Sequence, residues 1–275
     1  MLIDTHCHLD AAEFDADRLH VAQAASALSV QGIVIPAVEK SNFSTVRDLA
    51  WRISGGTYAL GIHPLYVAQA DESDLNSLRQ AVLQALDDPR FVAIGEIGLD
   101  FFVPEISLGP LRERQEFFYN AQLALAAEFD LPVIVHVRRS QDSVLKYLRR
   151  HPGVRTGIAH AFNGSAQQAN AFVDRGFALG LGGAMTYPRA LQIRRHAVDI
   201  SLDHLVLETD APDIPPAWLH APHRRNTPDQ LPRIAQVLAD LRGQTVEDIA
   251  RATTQTAYRI LPRLANIAGS AGLPT

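Results

Sequence analysis

Eight short apolar runs, each followed by an amphipathic stretch, set the tightest limit on how this 275-residue chain can fold. The runs are Leu2 to Thr5, Gly32 to Pro36, Tyr58 to Ile62, Phe91 to Ile97, Pro132 to Val137, Thr156 to Ala161, Phe177 to Leu181 and Leu205 to Glu208. Helix-patterned segments follow them at Asp17 to Leu28, Asn42 to Ile53, Asp74 to Leu86, Leu111 to Phe129, Gln141 to Arg150, Ser165 to Asp174, Arg189 to Val198 and Asp229 to Leu241. A strand this apolar must be covered on both faces, and parallel neighbours need a crossover segment between them. Eight such units predict a closed (β/α)8 TIM barrel rather than an open sheet. A further helix is expected from Thr245 to Ile260, with Thr245 as N-cap and Glu247 and Asp248 in its first turn. One domain over residues 1–265 is expected, and the Gly- and Ala-rich tail, 266–275, is expected to fray.

Charge and cysteine content narrow the function. The 25 Lys+Arg against 30 Asp+Glu leave a net charge of -5, so there is no broad basic surface to grip nucleic acid by its backbone alone. Any such partner must be held locally. Cys7 is the single cysteine, which rules out an internal disulfide and fits a reducing compartment. No run approaches about 20 consecutive apolar residues, and Asp4 stands where a signal peptide would be basic. A soluble, cytoplasmic protein is expected.

In barrels of this kind, chemistry gathers at the C-terminal ends of the strands. His6 and His8 end the first run, Glu96 lies near the end of the fourth, His136 ends the fifth, His160 ends the sixth and Asp210 follows the eighth. Residues two apart on a strand share a face, so His6 and His8 point together while Cys7 points away. Six metal-ligand side chains at strand ends on five strands are expected to converge on one mouth. Imidazoles and carboxylates together suit a divalent cation.

These residues also carry a family resemblance. His6-Cys7-His8, Gly61-Ile62-His63-Pro64, Gly95-Glu96-Ile97-Gly98-Leu99-Asp100, His136-Val137-Arg138, His160-Ala161-Phe162-Asn163-Gly164-Ser165 and Glu208-Thr209-Asp210-Ala211-Pro212 resemble, in order, the motifs of the TatD family of metal-dependent hydrolases. The stretch Gly182 to Ala190 resembles the YjjV-like branch, and the likeness runs from residue 2 to about residue 260. It implies a TIM barrel of the metallo-dependent hydrolase type with a two-metal centre, several such proteins being magnesium- or manganese-dependent deoxyribonucleases. Carried onto this chain, it makes His6, His8, Glu96 and Asp210 ligands of one metal, with Glu96 bridging to a second held by His136 and His160.

The physics of the residues agrees with that sorting. A carboxylate can span cations ~3.5 to 4 Å apart, which together stabilise the attacking and leaving oxygens of a phosphodiester displacement. Glu96 and Asp210 then carry the catalytic roles: Glu96 as bridge, Asp210 as ligand and as acceptor of the proton from the activated water. The alternative for Asp210 is a ligand only. His63 and Arg138 are the candidates for substrate binding through a phosphate, with His63 otherwise orienting a ligand. Asp4 is expected to bond a ligand imidazole from deeper in the barrel. Gly95, Gly98, Gly164, Gly182 and Gly183 are expected to allow tight turns or close backbone approach. Phe101 and Phe102 either stack on unpaired bases or, the simpler reading, close the barrel mouth as core.

The function expected is thus metal-dependent hydrolysis of phosphodiesters, with the resemblance implying a 3′ to 5′ exodeoxyribonuclease on single-stranded DNA ends. The alternative is an amidohydrolase or esterase acting on a small-molecule or aminoacyl ester or amide; a non-catalytic binding protein would not need the spare carboxylate of Asp210. Two divalent ions are expected, magnesium, manganese or zinc, and no obligatory protein partner is implied.

Overall fold

Residues 1–265 are described by a computed structural model. Eight strands, β1 (Leu2–Asp4), β2 (Val30–Pro36), β3 (Gly56–Leu60), β4 (Phe91–Asp100), β5 (Val133–Arg138), β6 (Gly157–Ala159), β7 (Phe177–Leu181) and β8 (Leu205–Leu207), pair in parallel in chain order. The helices between and after them are α1 (Arg18–Ala27), α2 (Phe43–Arg52), α3 (Ser73–Ala85), α4 (Gly109–Glu128), α5 (Gln141–Arg150), α6 (Ala166–Val173), α7 (Leu191–Asp199), α8 (Leu231–Arg242) and α9 (Val246–Ile260). This is the TIM barrel expected from the eightfold pattern. The expected tail, 266–275, lies outside the described residues.

Every strand places at least one apolar side chain in an inner cluster: Ile3, Val34, Ala59, Val92, Ile134, Ile158, Ala178 and Val206. Ala257, Ile260, Leu261 and Leu264 join the same cluster, so α9 and the short 3₁₀ turn after it close the N-terminal end of the barrel. Each of these larger aliphatic side chains contributes about 1.5–3 kcal/mol by leaving water. Thr245 caps α9 as expected, its side chain accepting the Asp248 N–H at 3.1 Å. A second, larger cluster fills the layer between the strands and the helices. With one end plugged, the opposite end is left for chemistry.

Two local features of the strands aim side chains into that mouth. On β4, Ile94 pairs with Val133 but Ile97 pairs with Val135, so three steps on one strand match two on its neighbour. Such a bulge re-aims the residues within it, and Glu96 is one of them. β4 therefore continues to Asp100 beyond the expected end at Ile97. At the barrel seam, β1 meets β8 through backbone bonds above the strands: Thr5 N to Leu207 O at 3.1 Å, Asp210 N to His6 O at 2.8 Å and His8 N to Ala211 O at 2.8 Å. Closing the barrel thus sets His6, His8 and Asp210 side by side.

Candidate metal centre

Glu96 stands at the middle of the mouth, and its two oxygens face different imidazoles. Oε2 lies 3.0 Å from His6 Nε2 and 3.4 Å from His8 Nε2. Oε1 lies 2.9 Å from His136 Nδ1, 3.3 Å from His63 Nε2 and 3.5 Å from His160 Nε2. Asp210 brings Oδ1 to 3.6 Å from His6, 3.7 Å from His8 and 3.9 Å from His160. All six residues expected as ligands are brought together. Three overlapping groups have donor atoms within 4.8 Å of one another: His6, His8 and Glu96; His6, His160 and Asp210; His63, Glu96 and His136. His160 stacks on His6 at 3.8 Å between ring centres, whereas His136 and His160 are 6.0 Å apart. His63, expected to bind substrate or orient a ligand, lies as close to Glu96 as the ligand set.

Carboxylates behind the rings decide which nitrogen faces the centre. His136 sends Nε2 to Asp100 Oδ2 at 3.0 Å, which leaves Nδ1 for the centre. His160 has Nδ1 3.3 Å from Glu208 Oε1, which also accepts the Ala161 N–H at 2.6 Å, so its Nε2 points inward. A Cβ at residue 180 would stand 2.0 Å from Glu208 Oε2, so glycine there makes room for this carboxylate. The Leu65 N–H donates to His63 Nδ1 at 3.1 Å, so the neutral ring carries its proton on Nε2 and donates toward the centre. Sequence reasoning passed over Asp100 and Glu208 as site residues. Each lies inside a motif that holds a ligand, and the rule that a metal-binding imidazole hands its other N–H to a carboxylate was the signal that could have found them.

Two expectations need correction. Asp4 does not bond an imidazole: Oδ1 accepts the backbone N–H groups of His6 at 3.3 Å and Thr209 at 3.0 Å, and Oδ2 accepts the Thr209 hydroxyl at 2.6 Å. It ties β1 to the segment carrying Asp210. Phe102 is 42% exposed and is not core, its ring packing under Arg138 and Arg139, whereas Phe101, under Arg112, packs against the core as expected. Gly98 does serve a close approach, as expected: its φ is +146°, and a Cβ there would clash with His136 O at 2.1 Å.

Electrostatics show that the site requires positive charge. Burial opposes the charge of Glu96, but His63, His6 and His160 hold it well below the usual carboxylate range. Burial opposes the charge of His8 and His160 as well, yet Glu96 and Asp210 push them up to about 9 and about 10, with Glu208 aiding the second. Burial and the neighbouring His160 charge hold His6 well below its ordinary value. Burial raises Asp210 to about 6. Burial opposes the charge of His136 too, but Asp100 and Glu96 raise it, so the carboxylates draw protons onto the imidazoles around them. A cluster of nitrogen and oxygen donors that gathers protons in this way fits a divalent cation of the magnesium, manganese or zinc kind.

A parallel barrel whose mouth holds a His-X-His pair, a central glutamate, two further imidazoles and an aspartate defines a metal-dependent hydrolase of the TIM-barrel class. Comparison with known proteins agrees. Residues 3–262 match the family described as TatD related DNase. The uncharacterized metal-dependent hydrolase YjjV of Escherichia coli K12 is 40% identical, over 94% of this chain and 96% of its own length. A protein of Erwinia billingiae named 3′-5′ ssDNA/RNA exonuclease TatD is 31% identical, over 94% and 98%. The crystal structure of E. coli YjjV superposes with a TM-score of 0.88 at 39% identity, covering 95% of this chain and 98% of that one. The chain belongs to the TatD family of metal-dependent hydrolases.

Proposed function

We propose that this protein is a phosphodiesterase that removes nucleotides from single-stranded DNA ends in the 3′ to 5′ direction with two divalent metals. The observation that carries this reading is the division of Glu96, whose Oε2 faces His6 and His8 while Oε1 faces His136, His63 and His160. His6, His8 and Asp210 would complete one metal site with Oε2, and His136 and His160 the other with Oε1. Bound there, the two ions would polarise the phosphodiester and activate water for attack.

The chain's own groups supply the rest. Asp210, raised to about 6 by burial, accepts the proton of the attacking water near neutral pH. His63 Nε2–H donates to a phosphate oxygen. Arg138, 51% exposed at the lip of the same cavity, contacts the substrate through its forked donors. Asp100 and Glu208 hold His136 and His160 with the correct nitrogen inward. The Erwinia relative, named for 3′-5′ action on single-stranded DNA and RNA, supports a single-stranded nucleic acid and the direction. Hydrolysis of a small ester or amide is the weaker reading: the carrier for a modified-lysine bridge is missing, since the two lysines, Lys40 and Lys146, lie near α2 and on α5, away from the cavity. A free, buried Cys7 suits a reducing compartment, and we place the protein in the cytoplasm. No helix among the described residues is long and apolar enough to cross a membrane.

The test is a release assay with single-stranded DNA labelled at either end, beside aminoacyl and phosphate esters, with manganese, magnesium or zinc supplied. Mononucleotides should appear first from the 3′ end. Turnover of the small esters with none of DNA would overturn the proposal.

A further inference from the structure

The cavity above the metal centre, about 1030 Å³, is charged unevenly. Acids from the segments after β1 and β8, Asp10, Glu13 and Asp213, line one side; Arg138 and Arg139, at the end of β5, line the other. Among the described residues around this cavity, these two arginines are the ones with a permanent positive charge. Their pairing with carboxylates is sparse. Arg138 comes no closer to a carboxylate than 3.9 Å, at Asp100 Oδ2, and Arg139 forms no ion pair among the described residues.

Both guanidinium groups rest on one ring instead, 3.8 Å and 4.6 Å from the centre of Phe102. Neighbours leaving an extended strand point to opposite sides, so sharing a ring requires the backbone to turn between them. Arg139 makes that turn, with φ at +54°, a region that non-glycine residues avoid. Asp100 fixes the ring's own position by accepting the N–H groups of Phe102 at 2.8 Å and Val103 at 3.0 Å. The same carboxylate receives His136 Nε2 at 3.0 Å, so the arginine pair is tied to the metal centre through one side chain.

Two like charges held together on a half-exposed aromatic, by a strained backbone, have one carboxylate between them, Asp100 at 3.9 Å from Arg138, and so leave room for a further anion. We propose that Phe102, Arg138 and Arg139 form a subsite for a second substrate phosphate, one other than the phosphate being cut. The enzyme then selects oligonucleotides over diesters with a single phosphate. This inference rests on the phosphodiesterase reading. The acids on the opposite lip repel the backbone from that side and fix where the strand enters.

The experiment compares thymidylyl-thymidine, which has only the phosphate to be cut, with the same dinucleotide phosphorylated at its 5′ or its 3′ end, all with manganese. For one of the two phosphorylated forms, kcat/KM should rise by about tenfold or more. Arg139→Gln should abolish the rise and Arg139→Lys should retain part of it. Arg155→Gln, at a remote pair with Asp130, should leave it intact. Arg139→Gly removes the charge and relieves the backbone, so the rise should vanish while Tm holds or increases. Equal kcat/KM for the three substrates, or a full rise in Arg139→Gln, overturns the subsite. Turnover of none of them strikes the phosphodiesterase reading instead, and the subsite is then judged by fluorescence anisotropy of labelled trithymidylate: loss of about tenfold in affinity in Arg139→Gln supports it. Equal binding by the variant, or no binding by the unmodified protein, rejects it.

Discussion

His136 is held between two carboxylates, Nδ1 2.9 Å from Glu96 Oε1 and Nε2 3.0 Å from Asp100 Oδ2. Asp100 is fully buried and, through His136, Phe102 and Val103, joins the centre to the lip of the cavity. It sets which imidazole nitrogen is free, and so whether His136 can ligate at all.

Asp100→Asn should therefore weaken metal binding at one of two positions by about 10- to 100-fold, the usual effect of removing a carboxylate behind a ligand. Titration of metal-free protein with manganese, followed by elemental analysis, checks this. Two sites of unchanged affinity would show that Asp100 serves only the loop.

Glu96→Gln and Asp210→Asn should separate the bridge from the base. Glu96→Gln should lower metal content and rate together, because both groups of imidazoles face that carboxylate. Asp210→Asn should retain metal when it is in excess and still lose about 10²- to 10⁴-fold in turnover. Near-normal rates in Asp210→Asn at saturating metal would leave it as a ligand alone and send the search for the base to His63.

Chelation should abolish turnover, and manganese or magnesium should restore it. The side chains gathered around Glu96 are those that would hold the metals. Full activity in thoroughly demetallated protein would contradict the two-metal reading.

Metal binding should depend on pH in a defined direction. His8 and His160, lifted to about 9 and about 10 by Glu96 and Asp210 against the opposing effect of burial, must each give up a proton to a metal. Affinity should rise by up to about tenfold per pH unit for each proton displaced between pH 6 and pH 8.5. The stability of the metal-free protein runs the other way. A histidine raised above its ordinary 6.5 supports the fold fully below that value, and the support is lost as pH climbs through 9 to 10. Calorimetry in a weak buffer measures the released protons; an affinity independent of pH would refute the assignment.

Binding of single-stranded DNA should show a shallow salt dependence. With two arginines at the cavity and a net charge of -5, the slope of log affinity against log salt should reflect about two or three phosphate contacts. A slope corresponding to six or more would reveal a basic track elsewhere.

Much of the barrel is written locally. The run from Phe177 to Leu181 matches β7 residue for residue, and the other strands are displaced by at most three residues at an end. The displacement that matters is on β4, where the strand continues past Ile97 to Asp100. A bulge is a relation between two strands, so the apolar pattern of one strand does not contain it. Phe102 illustrates a different limit. Its apolar neighbours suggest core, but Arg138 and Arg139 arrive from another strand to sit on its ring.

The alternation of apolar runs and helices, and the placing of histidines and acids where those runs stop, are properties of short segments and can be read without coordinates. They account for the eight strands and for which side chains meet at one end. The arrangement among those side chains belongs to the closed barrel. Asp4 bonds Thr209, 205 positions away, and Glu96 divides its oxygens between imidazoles from separate strands, because the seam and the bulge fix distances that no local pattern encodes. Hydrogen bonds act over about 3 Å and say nothing of separation along the chain, so which nitrogen of His136 and His160 faces the centre was decided only when Asp100 and Glu208 were folded in behind them.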